Sequence, residues 1–429
     1  MTQKSQLNLL TASAKQLDAA DPLSTFRSEF RFPKNSDGSD KVYFAGNSLG
    51  LQHQSVPEEM EAVMNNWRDF AVDGHFTGPA PWLKYDEKLC SGQAAMLGAE
   101  TSEVVTMNTL SVNLHLAMVS FYQPEGARRK IVIEKQAFPS DQYAVQSQIR
   151  FHGLDPAECL VEIEPAEGSR LLEEEQIEQY LLEHGAEVAL VLWPGVQYAT
   201  GQVFDLARIA SAARSCGANI GFDLAHTMGN IPIKLSDVDC DFAAWCTYKY
   251  LNSGPGAIGG LYINAKHHQK DLPRFNGWFG NALKSRFKMA PEFDPAPGAL
   301  AWQLSTPPTL AMAPILASIK VFEQAGFDRL RKKSIAMTGW LAEQVNQHLP
   351  DVLEVITPGE PDRRGCQLSL RVIDGRESGR ALFEYLEDNG IVPDWREPDV
   401  IRASPVPLYN NHEDCARLIK AIRTWADQR

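Results

Sequence analysis

Asn219-Ile220-Gly221-Phe222-Asp223, then His226, then Phe242-Ala243-Ala244-Trp245-Cys246-Thr247-Tyr248-Lys249-Tyr250, is the stretch on which the fold turns. Its two short apolar runs, each leading into ionisable groups, read as buried strands. An ionised carboxylate closing an apolar strand is costly without a cationic partner, and open α/β sheets bind ligands at the carboxyl ends of their strands. Alone, Asp223 reads equally as a helix N-cap or half of a buried ion pair. With His226 three residues on and Lys249 after the next run, it reads as part of a site.

The same rhythm extends outward. Lys130-Ile131-Val132-Ile133-Glu134 and Val188-Ala189-Leu190-Val191-Leu192-Trp193 are further strand candidates, and helical patterns lie near 140–152, 173–184 and 204–216. This βαβ alternation predicts a parallel sheet covered by helices. Gly259-Gly260-Leu261-Tyr262-Ile263 follows the 242–246 run too closely for a crossover helix, so one antiparallel strand in a mixed sheet is expected. From residue 309 the pattern changes to helices at 309–325, 329–348, 376–389 and 411–427 with strands at 367–373, 391–395 and 400–403, a smaller α+β domain. The doublet Pro307-Pro308 marks its approach.

Composition removes several classes of function. A chain of 429 residues, 44% hydrophobic and 22% charged, can bury two or three cores. Its net charge of −13, with no basic block longer than Arg128-Arg129-Lys130, argues against nucleic acid or an anionic membrane as partner. Seven cysteines without CxxC or paired-His spacing indicate neither a disulfide framework nor a metal site. The stretch to Leu23 lacks Arg and an apolar leader core, and no run approaches 18 apolar residues, so the expected location is the cytoplasm.

A lysine after a buried strand, beside an acid and the Gly-rich turn Asn252-Ser253-Gly254-Pro255-Gly256, can form a Schiff base with an aldehyde cofactor. Pyridoxal phosphate needs that lysine, a carboxylate for its ring nitrogen, a flat apolar face and donors for its phosphate. Lys249, Asp223 and Phe138 supply the first three, and Ser111 at the start of an apolar helical run supplies the last. Taken singly, Ser111 is an ordinary N-cap and Phe138 an ordinary core residue.

The surrounding words resemble those of the kynureninase family, within the fold-type-I pyridoxal phosphate enzymes. They are Phe44-Ala45-Gly46-Asn47-Ser48-Leu49-Gly50, the helix entry Met107 to Leu116, Phe138-Pro139-Ser140-Asp141, Tyr248 to Gly256, Gly277-Trp278-Phe279-Gly280, Ser305-Thr306-Pro307-Pro308 and Ile401 to Asn410. The resemblance implies a mostly parallel, mixed seven-stranded sheet flanked by helices in a large domain at 43–308. A small domain at 309–429 would follow, with residues 1–42 packing on it. It implies Lys249 as the Schiff-base lysine and Asp223 as the pyridinium partner. Leu110, Ser111, Phe138, Pro139, Ser140, Asp141, His226 and Tyr248 would complete the cofactor shell. Trp278 and Thr306 would reach the cofactor from the second subunit of a homodimer.

Arg402 would clamp the substrate carboxylate, for which a guanidinium fork suits better than lysine, and Asn47, Ser48, His75, Ser305 and Thr306 would complete the substrate site. Tyr248 is the candidate acid/base, with a phosphate hydrogen bond as a compatible second role. The implied activity is hydrolysis of L-kynurenine, and of its 3-hydroxy derivative, to the anthranilate and L-alanine, in tryptophan catabolism. Alternatives are another enzyme of the same fold, an aminotransferase or a cysteine desulfurase, or an inactive cofactor-binding homologue. One departure stands out: where many relatives place Ser or Thr in the phosphate shell, this chain has Pro194, which brings neither hydroxyl nor N–H.

Overall fold

The computed structural model describes residues 3–429. Its centre is a seven-stranded sheet of β1 (Val104–Thr106), β2 (Lys130–Glu134), β3 (Leu160–Ile163), β4 (Val188–Pro194), β5 (Asn219–Asp223), β6 (Phe242–Trp245) and β7 (Gly260–Ile263), in the spatial order β1-β7-β6-β5-β4-β2-β3. β7 runs antiparallel to both β6 and β1, and the other pairings are parallel, which is the mixed sheet expected. Successive side chains on a strand point to opposite faces. Accordingly Val191, Trp193, Ile220, Phe222, Ala243 and Trp245 enter one apolar layer, while Leu190, Leu192, Phe242 and Ala244 enter the other. A strand buried on both faces needs a continuous apolar run, which is why these segments showed no alternation in sequence.

The C-terminal part forms an antiparallel sheet of Leu353–Val355, Leu368–Val372, Val400–Ala403 and Asp394–Arg396, in that order, with helices Arg376–Asp388 and His412–Asp427 against it. The expected strand 391–395 is split. Pro393 has no N–H for a ladder, so Ile391–Val392 pairs with Val42–Tyr43 while Asp394–Arg396 joins the small-domain sheet. Helix Gln3–Ala19 buries Leu10 and Ala14 among Leu418, Ile422 and their neighbours, so the N-terminal segment and the C-terminal helix share one core.

Helix Thr309–Ala325, expected to open the small domain, packs instead with large-domain residues. Met312, Ile315 and Ile319 meet Val63, Tyr85 and Leu89. The small-domain core draws on the second helix, Phe327–His348, from Leu341 onward, so the division of cores falls beyond the bend at Gly326 and not at Pro308. Among the described residues no single helix is long and apolar enough to cross a membrane.

Candidate active site

The carboxyl ends of β2, β4, β5 and β6 converge on a cavity of about 200 Å³. Asp223 ends β5 and accepts from Ala225 N at 2.7 Å, and its register partner on β4 is Pro194. His226 follows in the next turn, buried, with Nδ1 unpartnered among the described residues. Lys249 lies in the turn after β6, its Nζ 6.0 Å from the ring centres of both Phe138 and Tyr248. That turn is pinned from the N-terminal segment, where Gly50 N donates to Tyr248 O. A Cβ on Gly50 would stand 2.3 Å from the carbonyl oxygen of Lys249, so only glycine permits this approach.

Two helices start at the cavity. Leu110–Phe121 begins after an extended Thr109 that makes no side-chain cap, leaving its first N–H groups and Ser111 available to an anion. Pro139–Phe151 has proline at its first position, where no N–H is lost. Phe138 precedes it, with its ring edge on Tyr198 at 5.1 Å.

Burial acts on two of the carboxyl groups. Burial and the neighbouring Asp223 raise Asp141 well above the usual carboxylate range, although Ser140 Oγ donates to it at 3.2 Å. Burial pushes Glu134, at the end of β2, up to about 8, and its Oε2 has no partner among the described residues. Burial also raises the Tyr248 phenol, so that it stays protonated, and lowers His226, with the charges of Lys249, Arg402 and Arg396 adding to the effect. The arrangement is a cavity with an amine, an apolar ring face, an uncapped helix start and three carboxyl groups, Glu134, Asp141 and Asp223. It fits a flat, phosphorylated pyridine aldehyde, and the orphaned His226 Nδ1 offers a further polar contact.

Of the residues expected at the cofactor, Leu110, Ser111, Phe138, Ser140, Asp141, Asp223, His226, Tyr248 and Lys249 line this cavity, and Pro139 sits behind them as the helix start. Pro194 is there too. Beside it, Thr227 Oγ1 is buried without a partner among the described residues, where a Cβ on Gly195 would come within 2.2 Å of it. Arg402 lies on strand Val400–Ala403, fully buried, beside Asn47 and Ser48. His75, Trp278, Ser305 and Thr306 do not line the cavity within one chain. His75 rests edge-on to Trp82 at 5.1 Å, Trp278 is about half exposed, and Ser305 and Thr306 are exposed.

Sequence reasoning missed Glu134, Tyr198, Asp394 and Arg396. Glu134 carries the signal that found Asp223, an acid closing an apolar strand. The others carry no local signal, because what places them is contact between distant segments.

The fold is shared with solved structures. A C-DES variant with glycine covalently linked to its PLP cofactor superposes with TM-score 0.78 at 18% identity, covering 92% of this chain and 98% of that one. The apo cysteine desulfurase from Thermococcus onnurineus NA1 gives 0.73 at 18% identity, over 97% and 98%. Fold and site together define the class, the fold-type-I architecture of pyridoxal phosphate enzymes.

Sequence comparison narrows it. Residues 330–422 match the kynureninase C-terminal domain. Kynureninase of Stenotrophomonas maltophilia (strain K279a) is 56% identical over 96% of this chain and 97% of its own length. Kynureninase of Xanthomonas campestris pv. campestris (strain B100) is 52% identical over 97% and 98%. The chain belongs to the kynureninase family.

Proposed function

We propose that the chain is a pyridoxal-phosphate-dependent hydrolase that cleaves the carbon–carbon bond of L-kynurenine, giving anthranilate and L-alanine, and that it also accepts the 3-hydroxy derivative. The observation that carries this reading is the meeting of Lys249, Asp223 and the Phe138 ring in one cavity, in a chain of this family. When bound, the cofactor supplies an electron sink for charge developing at the substrate α-carbon.

The chain's own residues do the rest. Ser111 and the start of helix Leu110–Phe121 would hold the phosphate. Asp223 would hold a proton at the ring nitrogen, beside Asp141 and Glu134, whose carboxyls burial raises above the usual carboxylate range. Lys249 would hold the cofactor at its aldehyde and move a proton at the substrate α-carbon. Tyr248, whose phenol burial raises so that it keeps its proton, would donate toward the ketone oxygen. Arg402 orients the α-carboxylate.

The active unit we propose is a homodimer. His75, Phe76, Phe287 and Trp278 form a chain of ring contacts on one face, with Phe76 and Phe287 largely exposed. An apolar surface of this kind favours a partner, and a second copy would bring Trp278 and Thr306 to the other cavity. The cytoplasm is the proposed location, and seven free cysteines, six of them buried, suit a reducing compartment.

Anthranilate fluorescence on adding L-kynurenine, with and without added pyridoxal phosphate, tests the activity. Lys249→Ala should abolish release together with the borohydride-fixable visible band. Release that persists without Lys249, or reductive labelling of a different lysine, overturns the assignment.

A further inference from the structure

Arg402 is already engaged by the protein. Of its five N–H groups, Nε and one on Nη2 reach Asp394 Oδ1 at 3.0 and 2.7 Å, a second on Nη2 reaches Ser48 Oγ at 3.0 Å, and Nη1 reaches Tyr198 O at 2.8 Å. The Asn47 amide lies against the same edge, its oxygen within 3.0 Å of Nε and 3.2 Å of Nη2. A carboxylate arriving here therefore finds one unengaged N–H and no free fork.

The neighbouring strand carries what is missing. Asp394 is the register partner of Arg402, and Arg396 lies two residues further along, on the same face. The intervening Trp395 points to the other face, against Phe383. Arg396 Nη2 reaches Asp394 Oδ2 at 3.2 Å and Ser48 Oγ at 3.0 Å, and Ser48 Oγ in turn donates to Asp394 Oδ2. Arg396 Nε is buried with no partner among the described residues, and Nη1 makes no hydrogen bond among them. Two guanidiniums thus share one carboxylate. The nearby acids of the same hairpin, Glu397 and Asp399, are taken by Arg376 and Arg170. One positive charge is left over where Arg402 is fully buried and Arg396 keeps 34% of its side chain exposed, so the corner is open to an anion from solvent that would balance it. Tyr198 joins this corner to the cavity, since it lines the cavity and its carbonyl accepts from Arg402 Nη1.

We propose that Arg396 is a second arginine of the substrate-carboxylate site, steered by Asp394 so that it and Arg402 receive the α-carboxylate of the amino acid together. The inference rests on the hydrolase reading for the identity of the substrate, but not for the presence of an α-carboxylate. The test compares two ligands of the holoenzyme, L-alanine and ethylamine, which differ by the carboxylate alone. Dissociation constants are read from the change in visible absorbance.

The wild type should prefer L-alanine, and Arg396→Met should cut that preference at least tenfold (~1.4 kcal/mol) while cofactor content stays at the wild-type level. Arg396→Lys, which keeps the charge but loses the planar donors, should cut it at least threefold, and it serves alone if the methionine variant does not fold. A preference unchanged within twofold in either variant overturns the proposal, as does a wild type with no preference. Anthranilate release from L-kynurenine is measured alongside. A collapsed preference in a protein that releases none overturns the hydrolase reading alone, whereas an unchanged preference in a protein that releases it overturns the role of Arg396 alone.

Discussion

Glu134 closes β2 and Asp223 closes β5, two strands away across β4, and burial holds the Glu134 carboxyl well above the usual carboxylate range. Burial raises Glu134 to about 8 from an ordinary 4.5; Gln197 Nε2, 3.4 Å from Oε1, offsets part of that, and Asp223 adds to it. An acid whose folded value is raised contributes its stability below the unfolded value and loses it as pH climbs to the folded one, because the unfolded chain releases the proton first. The window runs from about pH 4.5 to about pH 8, and the effect is on the order of a few kcal/mol. Glu134→Gln, isosteric and unable to ionise, should therefore unfold at a higher temperature than the wild type at pH 8 and at nearly the same temperature below pH 5. Melting curves of the two proteins that run parallel across this range would show that Glu134 is not the buried acid described.

At the scale of the element, β5 holds Asp223 in place through how closely its neighbour packs. A Cβ on Gly221 would come 2.0 Å from the Phe242 ring on β6, and that ring is itself stacked on Phe121 at 5.3 Å. Neither ring has room to retreat, since both are buried in the layer between the sheet and helix Leu110–Phe121. Gly221→Ala should destabilise the protein by roughly 1–3 kcal/mol, the usual effect of overpacking. It should also weaken cofactor retention, because the displaced strand carries Asp223 two residues on. Chemical denaturation and the ratio of bound cofactor to protein check both. An alanine variant with wild-type midpoint and full cofactor would contradict this account of the sheet.

For the whole molecule, the proposed dimer makes a sharp demand. Lys249 and Trp278 would serve the same cavity from different chains. Subunits carrying Lys249→Ala and subunits carrying Trp278→Ala, each inactive or nearly so, should on mixing regain about one working site per heterodimer. No recovery, with heterodimers demonstrated by native mass spectrometry, would put each cavity within a single chain.

The sequence by itself determined the parts of this protein that are local. The alternation of apolar runs and helical patterns specified the parallel sheet. The spacing of Asp223, His226 and Lys249 in two strand ends marked the site, and helix Thr309–Ala325 was legible to its ends because Pro308 precedes its apolar run and Gly326 stops it. Physical causes that act within a few residues leave their trace in a few residues. Tertiary structure decided the rest: helix Thr309–Ala325 joined the large domain because Val63 and Leu89 offered it a surface, and Pro393 broke a run that hydropathy read as continuous. Ser48, Asp394, Arg396 and Arg402 became one cluster although Ser48 and Asp394 stand 346 residues apart. No periodicity encodes that meeting, because its cause is the docking of the N-terminal segment onto the small domain, and a buried charge finds its partner only when the fold brings the two together.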